Sequence, residues 1–331
     1  MKKILITGSE GFIGSHLVER LIEDNYSVTA LVKYNFKNDL GWLRYIEKKA
    51  FKKIKIVMGD ITDYELVNKI TKNKDIVINL AALIGIPYSY KAVESYISTN
   101  VLGTFNILKA SKNNNVKKII HTSTSEVYGG KNKNKIKENY LNYAQSPYAA
   151  SKIAADQLCN SFYCSYNTPV IIVRPFNTFG PRQSERAIIP TIINQLINSN
   201  KLELGNMNAY RDLNFIEDTI EAFIKILKCN KKIYGETINI GSGFNFSINK
   251  IAKLLINISG KKAIIKKQKI RIKPIKSEVN FLLADNSKIK KLVGWKPKYN
   301  NYNKIKIALT ITYNWFKNNQ DKYKFERKYV E

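Results

Sequence analysis

Tyr148 and Lys152, in Ser146-Pro147-Tyr148-Ala149-Ala150-Ser151-Lys152, form the most suggestive chemical pair in the chain. A helix opened by Pro147 would carry both on one face, because residues four apart stack along a helix. Free tyrosine ionises only near pH ~10. A neighbouring ammonium and the positive charge of a nicotinamide would both favour the phenolate, so this tyrosine could act as a base near neutrality. The spacing alone is common, and its meaning rests on what else the chain provides.

A dinucleotide site is suggested at the start. Residues Ile4 to Leu17 read ILITGSEGFIGSHL: an apolar strand, then Gly8-x-x-Gly11-Phe12-Ile13-Gly14, then a helix. Glycines at this spacing let backbone N–H groups and a helix N-terminus approach a pyrophosphate, where the helix dipole favours negative charge. The flanking strand and helix make the motif specific. The second strand of such a unit ends in an acid when the cofactor is NAD, the acid binding the adenosine ribose. Here the segment reads Leu31-Val32-Lys33-Tyr34-Asn35. Lys33 could pair with the 2′-phosphate of NADP, which inclines the expectation toward NADP; in the other reading Lys33 is one more surface lysine, and Asn35 binds a ribose hydroxyl. Asp60, in Met58-Gly59-Asp60-Ile61, is placed for the adenine edge, and Leu80-Ala81-Ala82 closes the fourth strand with small residues against the cofactor.

These residues need a rigid frame, and the chain supplies its pattern. Short apolar runs at Ile4 to Thr7, Ser27 to Val32, Ile54 to Met58, Ile76 to Leu80, Lys118 to Thr122 and Val170 to Arg174 alternate with segments of helical spacing, such as Ile13, Leu17 and Leu21. Such alternation predicts an α/β fold with a doubly wound, Rossmann-type parallel sheet buried on both faces. After Pro175 the regularity breaks, leaving a strand candidate at Thr237 to Ile240 and an amphipathic helix around Ile305 to Phe316. The expected division is a dinucleotide-binding domain over 1–174 with a return near 212–240, and a smaller mixed α/β substrate-binding lobe from 175–211 and 241–331.

Composition narrows the functional classes. The formal net charge is +29, yet only eight of the 55 basic residues are arginine, and the lysines are scattered among Asn and Ile. No aromatic-interleaved basic motif accompanies them, so a nucleic-acid partner is not expected, although the charge would attract an anionic substrate. Three cysteines without a CxxC pair and two histidines suggest neither a disulfide framework nor a metal site. No apolar run reaches the ~18 to 20 residues of a membrane span, and Met1-Lys2-Lys3 leads straight into a strand, so a cytoplasmic protein is expected.

In order along the chain stand the glycine motif, Asp60-Ile61, Leu80-Ala81-Ala82, Asn100-Val101-x-Gly103-Thr104, Ser123-Thr124-Ser125-Glu126-Val127-Tyr128-Gly129, the Tyr148-x-x-x-Lys152 pair, Arg174-Pro175-Phe176-Asn177, Gly180-Pro181-Arg182, Arg211-Asp212 and Gly294-Trp295-x-Pro297. The series resembles the extended short-chain dehydrogenase/reductase family of NAD-dependent epimerases and dehydratases over essentially the whole chain. That resemblance implies a tightly held, recycled NAD or NADP and a nucleotide-diphosphate sugar bound between the two lobes. It adds Phe12, Ile13, Ile61, Asn100, Thr122 and Pro175 to the cofactor contacts, and it implies a homodimer built on helices around Val93 to Ala110 and Pro147 to Cys164; Phe162 and Tyr163 on the second fit either an exposed interface face or a core-packing face.

The subclass rests on Thr124-Ser125-Glu126. Family 4-epimerases need only the hydroxyl residue; a carboxylate such as Glu126 can take the acidified C5 proton of a 4-keto sugar so that the C6 hydroxyl leaves. This resembles the sugar 4,6-dehydratases, while the same STSEVYG string also resembles UDP-glucuronate decarboxylases. Ala81 to Tyr90, with Ile84 and Tyr88, Gly180 to Ser184, and Lys276-Ser277-Glu278-Val279 look most like the 4,6-dehydratases that open legionaminic acid biosynthesis, which act on GDP- or UDP-N-acetylglucosamine. Five arginines, Arg174, Arg182, Arg186, Arg211 and Arg271, fall in or beside the motifs, where a planar fork suits a diphosphate. Lys273 stands where relatives usually carry a second arginine. The expected substrate contacts are Ile84, Tyr88, Asn177, Arg182, Arg186, Arg211, Arg271 and Glu278; the expected catalytic set is Thr124, Ser125, Glu126, Tyr148 and Lys152.

Overall fold

A computed structural model describes residues 1–130, 134–230, 233–268 and 274–323. Arg271 and Lys273 lie outside them. The amino-terminal part runs β1 (Lys3–Thr7), α1 (Phe12–Glu23), β2 (Ser27–Lys33), β3 (Ile54–Gly59), α2 (Tyr64–Thr71), β4 (Ile76–Asn79), α3 (Gly103–Asn113), β5 (Lys118–Thr122), α4 (Pro147–Tyr166) and β6 (Val170–Pro175). Each strand is a nearly unbroken apolar run because both faces of the sheet are covered. Alternate residues serve opposite cores: Leu5, Val77, Ile119 and Ile172 pack on one side, and Ile4, Ile78, Ile120 and Val173 on the other.

The remaining elements are β7 (Asn177–Phe179), α5 (Ile188–Asn198), β8 (Lys201–Leu204), β9 (Tyr210–Phe215), α6 (Ile216–Lys228), β10 (Thr237–Ile240), β11 (Asn245–Ser247), α7 (Ile248–Ser259), β12 (Ile264–Lys267), α8 (Ser287–Val293) and α9 (Tyr302–Asn318). β10 returns to the large sheet, whose order is β10-β6-β5-β4-β1-β2-β3, every neighbouring pair being parallel. β9 pairs with β11 antiparallel and with β7 parallel, and β8 with β12 parallel, so the smaller sheets are mixed in character. The chain winds outward from β1 to β3, then resumes at β4 on the other side of β1. Such a reversal opens a crevice beyond the carboxyl ends of the two central strands.

Local chemistry sets the element that matters most for the site. Ser146 caps α4, its hydroxyl accepting the Ala149 N–H at 3.1 Å, and Pro147 follows in the first turn. Asn167 in the left-handed conformation ends the helix. Of the two readings for Phe162 the core-packing one holds: it is buried, packed edge-on against Phe105 and Tyr166, because its side of α4 faces the α3 layer. Tyr163 is more than a third exposed. No helix among the described residues is long and apolar enough to cross a membrane.

Two carboxylates join the smaller elements to the large sheet. Asp212, wholly buried on β9, accepts the N–H groups of Ser242 (2.8 Å), Gly243 (3.0 Å) and Ala284 (2.9 Å) and the Ser242 hydroxyl (2.7 Å). Asp218 in α6 accepts the N–H groups of Lys298 and Tyr299 while its own carbonyl takes the Trp295 indole N–H, which explains the Gly294-Trp295-x-Pro297 motif as a structural anchor. Asp212→Ala strands three buried backbone donors and should cost about 3 kcal/mol or more, read as an earlier urea midpoint at unchanged slope; an unmoved midpoint would show these bonds to be dispensable.

Candidate active site

The crevice begins at Thr7, the last residue of β1. Its hydroxyl donates to Asn79 (2.6 Å) and accepts the N–H groups of Leu80 (3.2 Å) and Ala81 (3.1 Å), locking the ends of β1 and β4 together. Gly8 follows with φ +62°, and a Cβ there would lie 2.9 Å from the Ala81 nitrogen. Gly11 caps α1, Phe12 and Ile13 open it, and Gly14 sits so close that a Cβ would fall 2.2 Å from the Gly8 carbonyl oxygen. The helix therefore starts directly over the turn, with the N–H groups of its first turn lacking intrahelical partners. That cradle, closed by Leu80 to Ala82, has the shape and polarity for a pyrophosphate.

Around it the other expected cofactor residues divide. Asp60 accepts from the Thr62 N–H and hydroxyl, each at 2.9 Å, and lies 3.8 Å from the Lys33 ammonium. Asn35 uses its amide within a loop, donating to the carbonyls of Lys33 and Asp39 and accepting the Asp39 N–H. Ile61 is buried against Gly103 of α3. Asn100 stands on a π-helical turn, Ile97–Leu102, that runs into α3; it brackets Leu83 through both N–H and carbonyl and donates to Ser151 at 2.9 Å. A π turn widens the helix locally and is frequent at functional positions. Thr122 offers its carbonyl to Lys152, while its own buried hydroxyl has no partner among the described residues. Pro175 ends β6 beside this group.

Tyr148 and Lys152 lie one helical turn apart on α4, as the spacing requires, and both are buried. Burial pushes the Tyr148 phenol above its ordinary value; a hydrogen bond with the Thr124 hydroxyl pulls it back, and the Glu126 charge pushes it up again. The Lys152 ammonium, one turn along the helix, donates to the Thr122 carbonyl at 2.6 Å. Burial lowers Lys152 to about 8, with Asp156 acting to raise it. Thr124 opens a short 3₁₀ turn over Ser125–Tyr128, which buries Ser125 and leaves the Glu126 side chain half-exposed. The Glu126 carboxylate accepts no hydrogen bond from the described residues, and its charge is felt by both Tyr148 and Tyr90. An unpartnered carboxylate thus stands beside the tyrosine.

Beneath this pair sits a residue that sequence reading missed. Asp156, one turn beyond Lys152, is wholly buried; its Oδ2 accepts from Ser123 (2.9 Å) and from Nε and Nη2 of Arg174 (3.1 and 2.9 Å), and its Oδ1 lies 3.7 Å from Nε2 of His121. The four-residue series Tyr148, Lys152, Asp156 was the available signal. Arg174 is accordingly not free for a diphosphate: it is buried, holds Asp156, and stacks over the Tyr128 ring at 4.7 Å. Isolated charges at this depth would be costly, and the pairing offsets that.

The expected substrate residues do not all converge. Arg182 grips Glu19 of α1 through both terminal nitrogens (2.7 and 2.9 Å), tying its loop to α1. Arg211 reaches Glu278 at 3.5 Å, so these two candidates are neighbours. Arg186 is exposed, pairs with no acid among the described residues, and acts on Tyr96, which packs edge-on against Tyr148 at 6.2 Å. Tyr88 packs on Tyr96 and is 40% exposed, Ile84 is more exposed still, and the buried Asn177 Oδ1 has no partner among the described residues. Tyr90 and Ser277, overlooked as contacts, hydrogen-bond each other at 2.5 Å, and Ser277 also donates to the Gln145 carbonyl at 2.6 Å. This closes the Glu278 loop over the Glu126 side of the crevice.

The parallel sheet, the glycine cradle and the Tyr148–Lys152 pair at the carboxyl ends of the strands define a Rossmann-type dinucleotide-binding fold with a proton-transfer site. Comparison with known proteins makes this specific. The sequence model of the family described as GDP-mannose 4,6 dehydratase matches residues 5–307. Human dTDP-D-glucose 4,6-dehydratase is 31% identical over 337 residues, covering 100% of this chain and 94% of that protein. DesIV, a dTDP-glucose 4,6-dehydratase from Streptomyces venezuelae solved with NAD and TYD bound, superimposes with a TM-score of 0.88 at 26% identity, over 97% of this chain and 99% of that one. A mutant UDP-glucuronic acid 4-epimerase from Bacillus cereus, solved with UDP-4-deoxy-4-fluoro-glucuronic acid and NAD, gives 0.87 at 30% identity, over 96% and 99%. The chain belongs to the extended short-chain dehydrogenase/reductase family, among its nucleotide-sugar 4,6-dehydratases and 4-epimerases.

Asp156 raises the Lys152 pKa, so Asp156→Asn should deprotonate the ammonium at lower pH. The expected result is an alkaline limb of turnover that falls near pH 8 in the parent and shifts toward acid in the variant. It should also cost about 3 to 5 kcal/mol, since Arg174 is left as an uncompensated buried charge. A pH–rate profile with an unmoved limb would remove the link.

Proposed function

We propose that the protein is a nucleotide-sugar 4,6-dehydratase acting on GDP- or UDP-N-acetylglucosamine. The observation that carries the reaction type is the half-exposed, unpartnered Glu126 carboxylate next to Tyr148 and Thr124. The donor sugar is supported by the resemblance of the 81–90, 180–184 and 276–279 segments. Gly8, Gly11, Gly14, Asp60, Ala81 and Lys152 would hold the dinucleotide. Such a group would supply a reversible hydride acceptor for C4 and C6, so no net oxidant would be consumed. NAD fits better than the NADP suggested by Lys33 alone: solved relatives carry NAD, and the Lys33 ammonium is already shared with Asp60.

In this reading Tyr148 takes the C4 hydroxyl proton, with Thr124 orienting that hydroxyl and Lys152 holding the adjacent ribose. Ketone formation acidifies C5–H. Glu126 takes that proton, and Ser125 or the newly protonated Glu126 delivers a proton to the C6 hydroxyl, which departs as water. Hydride return to C6 and delivery to C5 of a proton balanced by the one Tyr148 took complete the 4-keto-6-deoxy product and restore the starting protonation of the side chains. Arg186 and the Arg211–Glu278 pair are placed for the diphosphate and sugar. Similarity to the Bacillus cereus enzyme keeps 4-epimerisation as the second reading, since Thr124 and Tyr148 suffice for it. A homodimer is favoured by the exposure of Val93, Ile97 and Leu102 in the helical segment that leads into α3, where apolar side chains would be covered by a partner.

Incubation with GDP- and UDP-N-acetylglucosamine separately, followed by mass spectrometry, should show a loss of about 18 mass units, one water, with one donor preferred. An epimer conserves mass, and that outcome would replace dehydration by the second reading. Glu126→Gln should reduce dehydration by about 100-fold or more with substrate binding retained; full turnover in the variant would exclude Glu126 as the C5 base.

A further inference from the structure

The end of β2 lacks the acid that would hold an adenosine ribose. Val32 is wholly buried, the Lys33 ammonium leans toward Asp60, Tyr34 is exposed, and Asn35 closes its own loop. The structure brings a carboxylate to that place from the opposite wall. Glu10, between Gly8 and Gly11, reaches across so that its Oε1 accepts the Lys33 backbone N–H at 3.0 Å, beside the last residue of β2. Its Oε2 is shielded from solvent and has no hydrogen-bond partner among the described residues. The residue is held from behind: the Trp42 N–H donates to the Glu10 carbonyl at 3.0 Å, and Gly41 brings the chain against the Glu10 side chain.

We propose that Glu10 is the ribose-binding acid of this protein, accepting hydrogen bonds from the adenosine 2′- and 3′-hydroxyls, and that it selects NAD over NADP. The proposal rests on the dinucleotide reading of the crevice given above and adds the residue that decides which dinucleotide. A buried acceptor without a donor costs free energy until one arrives, and a vicinal diol carries two. The terminal torsion of a glutamate is broad and two-fold, so a modest turn presents Oε2 to the crevice while Oε1 keeps Lys33. Discrimination follows from charge. A 2′-phosphate brings about −1.5 to −2 charges to a place already flanked by the Glu10 and Asp60 carboxylates, against the single Lys33 ammonium that lies 3.8 Å from Asp60. Burial raises the Glu10 pKa, and the Lys33 N–H and ammonium act in the other direction.

The test is calorimetric titration of the full chain, freed of any co-purified dinucleotide, with NAD and NADP separately, and the same for Glu10→Gln and Glu10→Ala. Wild type should bind NAD at least about tenfold more tightly, a difference near 1.4 kcal/mol. Glu10→Gln keeps the shape and removes the charge, so it should weaken NAD, strengthen NADP and shrink their ratio at least about tenfold. Wild type binding NADP as tightly as NAD, or a ratio unchanged in Glu10→Gln, would overturn the proposal. If wild type bound neither dinucleotide, the cofactor reading itself would fall, which is a different result. Glu10→Gln is isosteric, so a folding defect confined to Glu10→Ala leaves the decisive comparison intact.

Discussion

A single buried carboxylate, Asp156, underlies the arrangement of the active side. It draws Arg174 from β6, Ser123 from the end of β5 and the field of Lys152 from its own helix into one cluster, with His121 at its edge. In a medium that solvates ions poorly, these groups are tolerable only together, so their mutual satisfaction fixes how α4 lies across the strands. The position of Tyr148 follows, because it shares that helix. The geometry of the Tyr148–Lys152 pair is thus set from below, by buried residues.

On the other side of the crevice the constraint is steric. Thr7 clamps β1 to β4, and Gly8 and Gly14 allow α1 to begin where any side chain would collide with backbone. The glycine cradle and the residues after β5 then meet at one end of the sheet: the cradle sits over the central strands, and Thr124 to Glu126 follows the end of β5. Within this family the same frame serves epimerases and dehydratases. Under the reading proposed above the distinction lies in a carboxylate near C5, and Glu126, half-buried and without a hydrogen bond from the described residues, is the side chain proposed for it.

Most of the frame was legible in the chain. Uninterrupted apolar runs betray strands buried on both faces, and the helix of Tyr148 was announced by Ser146 and Pro147. The arginines were less transparent. Arg174, Arg182 and Arg211 each stand in a motif, yet Arg174 neutralises Asp156 and Arg182 grips Glu19, while Arg211 faces Glu278 and Arg186 meets no acid among the described residues. A motif marks where a planar cation is needed, but not whether its partner is a phosphate or a carboxylate of the same chain. Phe162 allowed two readings for a related reason: helical spacing identifies an apolar face without saying which layer covers it.

By itself the sequence determined the alternation of strands and helices, the glycine turn and the pairing of Tyr148 with Lys152, because these depend on contacts only a few residues long and on the backbone preferences of particular side chains. Tertiary structure alone decided that Lys152 turns to Thr122, 30 positions away, that Asp156 is met by Ser123, 33 away, and that a carboxylate reaches the end of β2 from Glu10, 23 away. Charges and hydrogen bonds act through space, and in a low-dielectric interior their effect depends on burial and on the nearest opposite group. Neither is written in spacing along the chain.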